Sequence, residues 1–525
     1  MPFDLVLQGG LLVDGSGAPP RPAHVGIRGG RVEAVSDSAL PADGVIDASG
    51  CVVAPGFVDI HSHSDCYPLI SPRAESKIQD GVTTEIVGNC GVSPFPMGGR
   101  FLSQEREYFS RMGLEIDWSD IEEYFERAEA AGTAINRGFL VGHGSVRSAV
   151  MDYAARAPSD DEFEAMKAHV RRAMDRGALG LSTGLIYTPG CYAEQDEISA
   201  LCEVVAEYDG FYATHIRSEG EQLESAVDEA LSVAQSSGAR LQISHLKVAG
   251  EVNWGKIEWL KQRLTDAREA GIDFACDRYP YTASSTGLET VLPEWACQGG
   301  IDEELARLED PDTRQKIRSE IAESRRGADR WQRIVIAYIP VEDLHRFEGK
   351  TVQDVADDQG KDPIDAALDM LLAARGQVSV VIFSMAEENL REILSWPFVA
   401  IGSDAAFRAP EGPLSGGKPH PRAYGTFARV LGHYVREEGV LSLEQAVHKM
   451  TLLPAQRAGL QERGALRPGW HADVVVFDPE QIADAATFEA PHQYSRGIRY
   501  VIVNGHVALN NGALSESLHG EILRR

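Results

Sequence analysis

His61-Ser62-His63 follows the apolar run Gly56–Ile60. In a strand, residues i and i+2 project to the same side, so both imidazoles can reach one ion. Asp59 and Asp65 flank the pair and are expected to accept from the ring N–H groups and orient them. His215 and His245 lie thirty residues apart, each closing an apolar run. That interval is about one strand–helix unit, which would project the two from adjacent strands into one cavity. Cys90 ends the run Glu85–Asn89, twenty-nine residues after His61. Cysteine and two histidines around an open fourth position make a catalytic zinc set, because thiolate and imidazole both suit Zn²⁺. Asp404 ends Val399–Ser403, where a carboxylate beside an activated water can take its proton and pass it to a departing amine. Singly, each residue has an ordinary explanation: a satisfied core histidine, a small buried thiol, a helix-capping aspartate. Jointly, at the ends of apolar runs, they point to a metal-dependent reaction.

Elements of a particular kind must hold these ends together. Eight apolar runs end in polar chemistry: Phe57–Ile60, Thr84–Gly88, Phe139–Gly142, Ala178–Ser182, Phe211–Thr214, Leu241–Ser244, Asp273–Cys276 and Phe398–Ser403. Helical stretches such as Asp160–Arg176, Gln222–Ser236 and Asn253–Ala270 alternate with them. Repeated strand–helix units imply a parallel sheet, and eight that close imply an α/β (β/α)8 TIM-like barrel with its chemistry at the strand ends. Val378–Phe383 is a ninth strand candidate, which leaves the register late in the barrel open. Both chain ends read as short strands broken by glycine turns. Leu5–Gln8 and Leu11–Val13 flank Gly9-Gly10, Val25–Arg28 and Arg31–Val35 flank Gly29-Gly30, and Tyr500–Val503 and His506–Leu509 flank Asn504-Gly505. The expected organisation is a small β-sandwich from residues 1–54 and 461–525, with the barrel at 55–460 between them.

Composition sets outer bounds. A chain of 525 residues exceeds what one core supports, and 43% hydrophobic with 25% charged residues suits a globular protein. The net charge of −29 repels phosphate backbones and anionic membranes, so neither nucleic acid nor membrane is an expected partner. A small-molecule partner is expected instead. Seven scattered cysteines without C-x-x-C pairs, and an N-terminus lacking the pattern of a secretion signal, suggest reduced thiols in the cytoplasm.

The longer motifs resemble a known family. Ala54–Asp65 (Ala-Pro-Gly-Phe-Val-Asp-Ile-His-Ser-His-Ser-Asp) looks like the opening motif of the amidohydrolase superfamily. Gly81–Pro94 narrows the resemblance to the D-aminoacylase (N-acyl-D-amino-acid deacylase) family, with support from Gly180–Tyr187, Thr214–Glu219, Ser244–Lys247, Tyr279–Thr286 and His420-Pro421-Arg422. The resemblance implies zinc-dependent hydrolysis of the linear amide of N-acyl-D-amino acids. It implies a tight zinc at Cys90, His215 and His245, a weaker second metal position at His61 and His63, and Asp404 as general base and then acid. Lys247, Arg422, Tyr187, Tyr279 and Ser285 match positions that hold the substrate's carboxylate and neighbouring groups. An insertion covering the site would fall at about 287–343. The stretch 405–421, between Asp404 and Arg422, is longer than the family's and puts the placement of Arg422 in question.

Three other readings compete. Gly180-Leu181-Ser182-Thr183-Gly184 matches the Gly-x-Ser-x-Gly elbow of serine hydrolases, but that reading leaves five candidate ligands unexplained. A cyclic-amide enzyme of the dihydroorotase or hydantoinase kind typically uses a bridging carboxylated lysine, and no lysine lies at the strand ends between 84 and 215. A catalytically inert binding protein on the same barrel would have no reason to keep every ligand type and Asp404. His143, in Val141-Gly142-His143-Gly144, has either a site role or a packing role. For the substrate, Thr282–Ile301 contains no Lys or Arg but offers Leu288, Val291, Leu292 and Trp295, with Glu289 and Glu294. A pocket lined from it would disfavour a second carboxylate, so neutral, hydrophobic D-side chains are expected.

Overall fold

A computed structural model describes residues 2–323 and 328–525; residues 324–327, within the expected insertion, lie outside the described residues. The eight apolar runs become eight parallel strands: β1 (Phe57–Asp59), β2 (Val82–Val87), β3 (Asn136–Gly142), β4 (Gly180–Gly184), β5 (Phe211–His215), β6 (Arg240–Ile243), β7 (Phe274–Arg278) and β8 (Val399–Ile401). They pair in sequence order, and the ring closes where Ser62 bridges Ala405 and the Asp404 N–H donates to the His61 carbonyl at 2.7 Å.

Strand alternation produces two cores. Ile60, Ile86, Leu140, Ala213 and Ala400 form one cluster. Their neighbours Val87, Val141, Tyr212, Val399 and Ile401 join the large cluster that receives the helices. Period-two projection on a closed sheet requires this division into filled interior and helix-covered exterior. The helices are placed by local signals. Asp160–Asp175 starts at a capping box in which Ser159 and Glu162 satisfy each other's backbone N–H groups. Leu223–Ser237 stops at Gly238, whose φ of 73° ends the helix.

Both chain ends share one nine-stranded sheet, joined where Val52–Pro55 runs antiparallel to Val474–Phe477. The sheet folds over until Arg31 bridges His471, which gathers Leu7, Val25, Ile27, Val32, Val474 and Ile502 into a separate core and makes the β-sandwich. The Gly29-Gly30 and Asn504-Gly505 hairpins form, with Arg28 opposite Arg31 and Val503 opposite His506. The Gly9-Gly10 hairpin does not form. Phe3–Leu12 is one continuous strand with a register shift between Leu7 and Gly10. Gly10 is needed for close packing, since a Cβ there would lie 2.5 Å from a Val53 methyl.

The ninth strand candidate, Ser379–Phe383, is outside the barrel. It is the middle strand of a three-stranded antiparallel sheet, between Ala283–Gly287 and Ile334–Tyr338. The sheet lies in the long connection between β7 and β8, and Leu288, Ile317, Ile336, Phe347, Leu368 and Leu371 give that connection its own core. The proposed insertion at 287–343 falls within this stretch. No helix among the described residues is long and apolar enough to cross a membrane.

Candidate active site

The chemistry-bearing residues meet at the C-terminal ends of the barrel strands. Ligand atoms of His61, Cys90, His245 and Asp404 all lie within 4.8 Å of one another, and His245 also groups with His215 and Glu219. Cys90 Sγ is 3.4 Å from His61 Nε2 and 3.5 Å from His245 Nε2. His215 and His245 leave adjacent strands with ring centroids 4.4 Å apart, as their thirty-residue spacing implies. His63 stands just outside the four-atom cluster and meets Asp404 Oδ1 at 2.9 Å through Nε2.

Three of these side chains depend on strained backbone. Cys90, His245 and Asp404 have φ of 52°, 36° and 52°, a left-handed region that residues with a Cβ seldom adopt. Such strain persists only where surrounding contacts over-determine it, and it concentrates at functional sites. For Cys90 the contacts come from Ser182, whose hydroxyl donates to the Gly88 carbonyl and accepts the Gly91 N–H at 3.0 Å. The elbow reading fails for this reason: Ser182 lies within β4, buried, with its hydroxyl engaged on both sides. The glycines of that motif serve packing, since a Cβ at Gly184 would lie 2.1 Å from the Cys90 carbonyl oxygen.

The electrostatics suit a cation. Burial alone would raise the Cys90 thiol, but the neighbouring His61 and His245 hold it well below its ordinary value. Burial likewise opposes ionisation of Asp404, yet Arg422, His245, His61 and the His63 bond hold it well below the usual carboxylate range. Both ring nitrogens of buried His215 lack a hydrogen-bond partner, an expensive state that a bound metal would relieve. Donor types, spacing and orphaned imidazole therefore fit a metal ion.

Arg422 reaches the centre despite the long stretch before it. Its Nη1 lies 2.7 Å from Asp404 Oδ2, and its guanidinium stacks 4.5 Å over the Tyr279 ring. His420 anchors it by accepting the Arg422 N–H at 3.0 Å through Nδ1 and facing the Ala283 carbonyl at 3.0 Å through Nε2. Lys247 contacts His245 Nδ1 at 2.8 Å and pairs closely with Glu219. Tyr187 packs 5.2 Å from His215, with its hydroxyl 3.1 Å from Thr286 Oγ1. Ser285 lines a cavity of about 340 Å³ together with His63, Asp404 and Arg422. The Tyr279 hydroxyl is buried and unpaired; burial raises it, and Lys247, Arg278 and Arg422 more than offset that.

The carboxylates that support the histidines are not the expected ones. Asp277 accepts from His61 Nδ1 at 2.9 Å and from the His245 N–H at 2.7 Å, while Gln242 fixes its other oxygen at 2.8 Å. Asp59 instead pairs with buried Lys77 and accepts from the Ser403 N–H at 2.8 Å, tying β1 to β8. Asp65 Oδ1 has no partner. Glu219 was also missed: it lies 2.8 Å from His245 Nδ1 and 4.0 Å from His215 Nε2. Its position four residues after His215 was the available signal, as was the position of Asp277 at the end of an apolar run. His143 Nε2 faces buried Glu197 at 2.8 Å beside Arg147, while its Nδ1 is buried without a hydrogen-bond partner. Leu288, Val291 and Leu292 sit in the insertion's core, with Trp295 packed against it, and none of the four is among the residues lining the cavity beside Asp404.

The sequence profile of the "Amidohydrolase family" matches residues 44–509. An N-acyl-D-glutamate deacylase of Alcaligenes xylosoxydans xylosoxydans is 38% identical over 526 residues, covering 100% of this chain and 97% of that relative. A D-aminoacylase of the same organism is 36% identical over 525 residues, covering 100% and 98%. This chain belongs to the D-aminoacylase family of amidohydrolases. The crystal structure of N-acyl-D-glutamate deacylase from Bordetella bronchiseptica, complexed with zinc and a phosphonate inhibitor, superposes on this D-aminoacylase-family chain with a TM-score of 0.85, at 35% identity and 100% coverage of both chains. The family member described here is a metal-dependent hydrolase acting on N-acyl-D-amino acids.

Proposed function

We propose that this enzyme uses zinc to cleave the linear amide of N-acyl-D-amino acids, with Asp404 as its proton shuttle. The carrying observation is the convergence at Asp404: its carboxylate lies in the ligand cluster with one oxygen 2.7 Å from Arg422. Cys90, His215 and His245 would hold the tighter ion, and His61 with His63 a weaker second one. When bound, the metal supplies the Lewis acidity that makes water nucleophilic near neutral pH and polarises the amide carbonyl. Asp404 accepts the proton from the attacking water and returns it to the amine as the C–N bond breaks. Arg422 offers a planar fork to the α-carboxylate, and Lys247, Tyr187, Tyr279 and Ser285 orient the neighbouring groups.

The expectation of neutral D-side chains loses its main premise, because the residues meant to line an apolar pocket face another core. The choice of side chain then rests on the cavity beside Asp404. A cytoplasmic location is part of the same proposal, supported by seven cysteines that are all free. The deciving assay for the reaction uses zinc-loaded protein with N-acetyl-D-Leu, N-acetyl-D-Glu and their L-enantiomers. Turnover confined to the D-series supports the reading, and equal rates on the L-series sink it.

A further inference from the structure

The cavity that opens onto His63 and Asp404 contains a cation that the proposed chemistry does not use. Arg408 lies in its wall, together with Ser285 and Tyr338. It belongs to the stretch 405–421 between Asp404 and Arg422. The backbone there is anchored. The Arg408 N–H donates to Ser76 Oγ at 3.0 Å, the Ser76 N–H returns to the Arg408 carbonyl at 3.3 Å, and buried Phe407 packs 5.9 Å from Tyr67. The guanidinium carbon sits 5.5 Å from the Tyr67 ring; burial opposes its charge, and the surrounding phenols of Tyr67, Tyr108, Tyr424 and Tyr338 more than offset that.

The other arginines of this cavity are already paired. Arg422 faces Asp404 at 2.7 Å, and Arg111 at the rim faces Glu107 at 2.7 Å and bonds Gln377. Among the described residues the Arg408 guanidinium has no carboxylate partner; it lies over the Tyr67 ring. A half-buried cation without a counter-ion is costly, and a carboxylate delivered by a ligand would relieve that cost through a two-pronged, charge-assisted pair. Tyr67 and Tyr108 share one hydrogen bond at 3.0 Å, which leaves one of their two O–H groups available to the same anion.

We propose that Arg408 is a specificity-determining residue that binds a second carboxylate of the substrate, beyond the α-carboxylate. The inference rests on the deacylase reading above. The second carboxylate can come from the amino-acid side chain, as in N-acetyl-D-Glu, or from the acyl chain, as in N-succinyl-D-Leu. Both present the same anion to the same guanidinium.

The test measures kcat/KM of zinc-loaded wild-type enzyme on two matched pairs: N-acetyl-D-Glu against N-acetyl-D-Leu, and N-succinyl-D-Leu against N-pentanoyl-D-Leu. The expected result is a preference of tenfold or more for the anionic member of one pair, and that pair identifies the source of the carboxylate. In Arg408→Met the same ratio should fall by roughly 10- to 150-fold, the range for a hydrogen-bonded charged contact. Arg408→Lys should recover part of it. A wild-type preference for the neutral member of both pairs overturns the proposal without recourse to any variant. So does a ratio that Arg408→Met moves less than about twofold. No turnover of any of the four compounds overturns the deacylase reading and this inference together, whereas turnover of the neutral compounds alone overturns only the inference.

Discussion

The Asp404 N–H donates to the His61 carbonyl oxygen at 2.7 Å, so the proposed proton shuttle on the last barrel strand is locked to the first-strand histidine at the seam of the barrel. Asp404 Oδ1 lies 3.4 Å from His61 Nε2 and 2.9 Å from His63 Nε2, while Oδ2 faces Arg422. Barrel closure and site assembly are therefore one event. Residues 341 positions apart in the sequence are brought into contact by the same hydrogen bonds that join β1 to β8.

Asp404→Asn is expected to fold, to keep its metal and to lose about 10²–10⁴-fold in kcat, the usual range for removing a positioned proton carrier. The amide nearly matches the carboxylate in shape but cannot accept and return a proton. Steady-state turnover beside metal analysis and melting of the variant checks this. Near-wild-type kcat would move the role to another residue.

Metal removal gives a second outcome. Purified active enzyme should contain about one equivalent of tightly held zinc, and chelation should abolish turnover that added Zn²⁺ restores. Cys90→Ser should lower occupancy, because a serine hydroxyl is a far poorer ligand than a thiolate. Full activity with less than about a tenth of an equivalent of any transition metal would end the metal assignment.

Ser182→Ala separates the two hydrolase chemistries. As a nucleophile Ser182 would be indispensable, and serine-directed reagents would inactivate the wild type. As the residue that holds the Cys90 loop, its loss leaves the buried Gly91 N–H unpaired, at a cost of about 1–3 kcal/mol in stability. Reduced melting temperature with retained zinc-dependent turnover and no reagent sensitivity is the expected result. Complete inactivation of a folded, metal-loaded variant would revive the elbow.

Glu304 should make a contribution to the insertion's stability that is lost as pH rises toward neutral. Burial pushes Glu304 up to about 7, against partial relief from Cys297 and Arg307. A carboxyl whose folded value exceeds its unfolded one binds more protons when folded, so its favourable contribution is present below about 4.5 and is lost as pH rises to about 7. Glu304→Gln, which keeps the shape without the charge, should therefore raise the melting temperature by a few °C at pH 8 and change it little at pH 4.5. Calorimetric scans at the two pH values check the sign. Equal shifts at both would show that Glu304 does not titrate with folding.

Local signals made the barrel legible in the sequence. A parallel strand buried on both faces must be an apolar run, and a barrel confines its chemistry to where such runs end, so His61, Cys90, His215, His245 and Asp404 could be found in one dimension. Other features depended on where distant chain segments approach. Gly9-Gly10 has the composition of a turn, but the close approach of Val53 makes it a bulge within a long strand. Val378–Phe383 has strand composition with nothing local to distinguish a barrel strand from the sheet that carries Ser285. Asp59 and Asp65 neighbour the histidine pair in sequence, yet Asp277, on a strand two hundred residues away, holds His61. Apolar residues after Tyr281 say only that they will be buried. Packing decided that they fill the insertion's core, and that the cavity beside Asp404 is lined instead by Arg408 and its tyrosines. Residue type and spacing specify which groups are available, because strand periodicity and burial are local constraints. Which carboxylate meets which imidazole, and which cation faces the substrate, is decided by contacts between segments that only the closed barrel brings together.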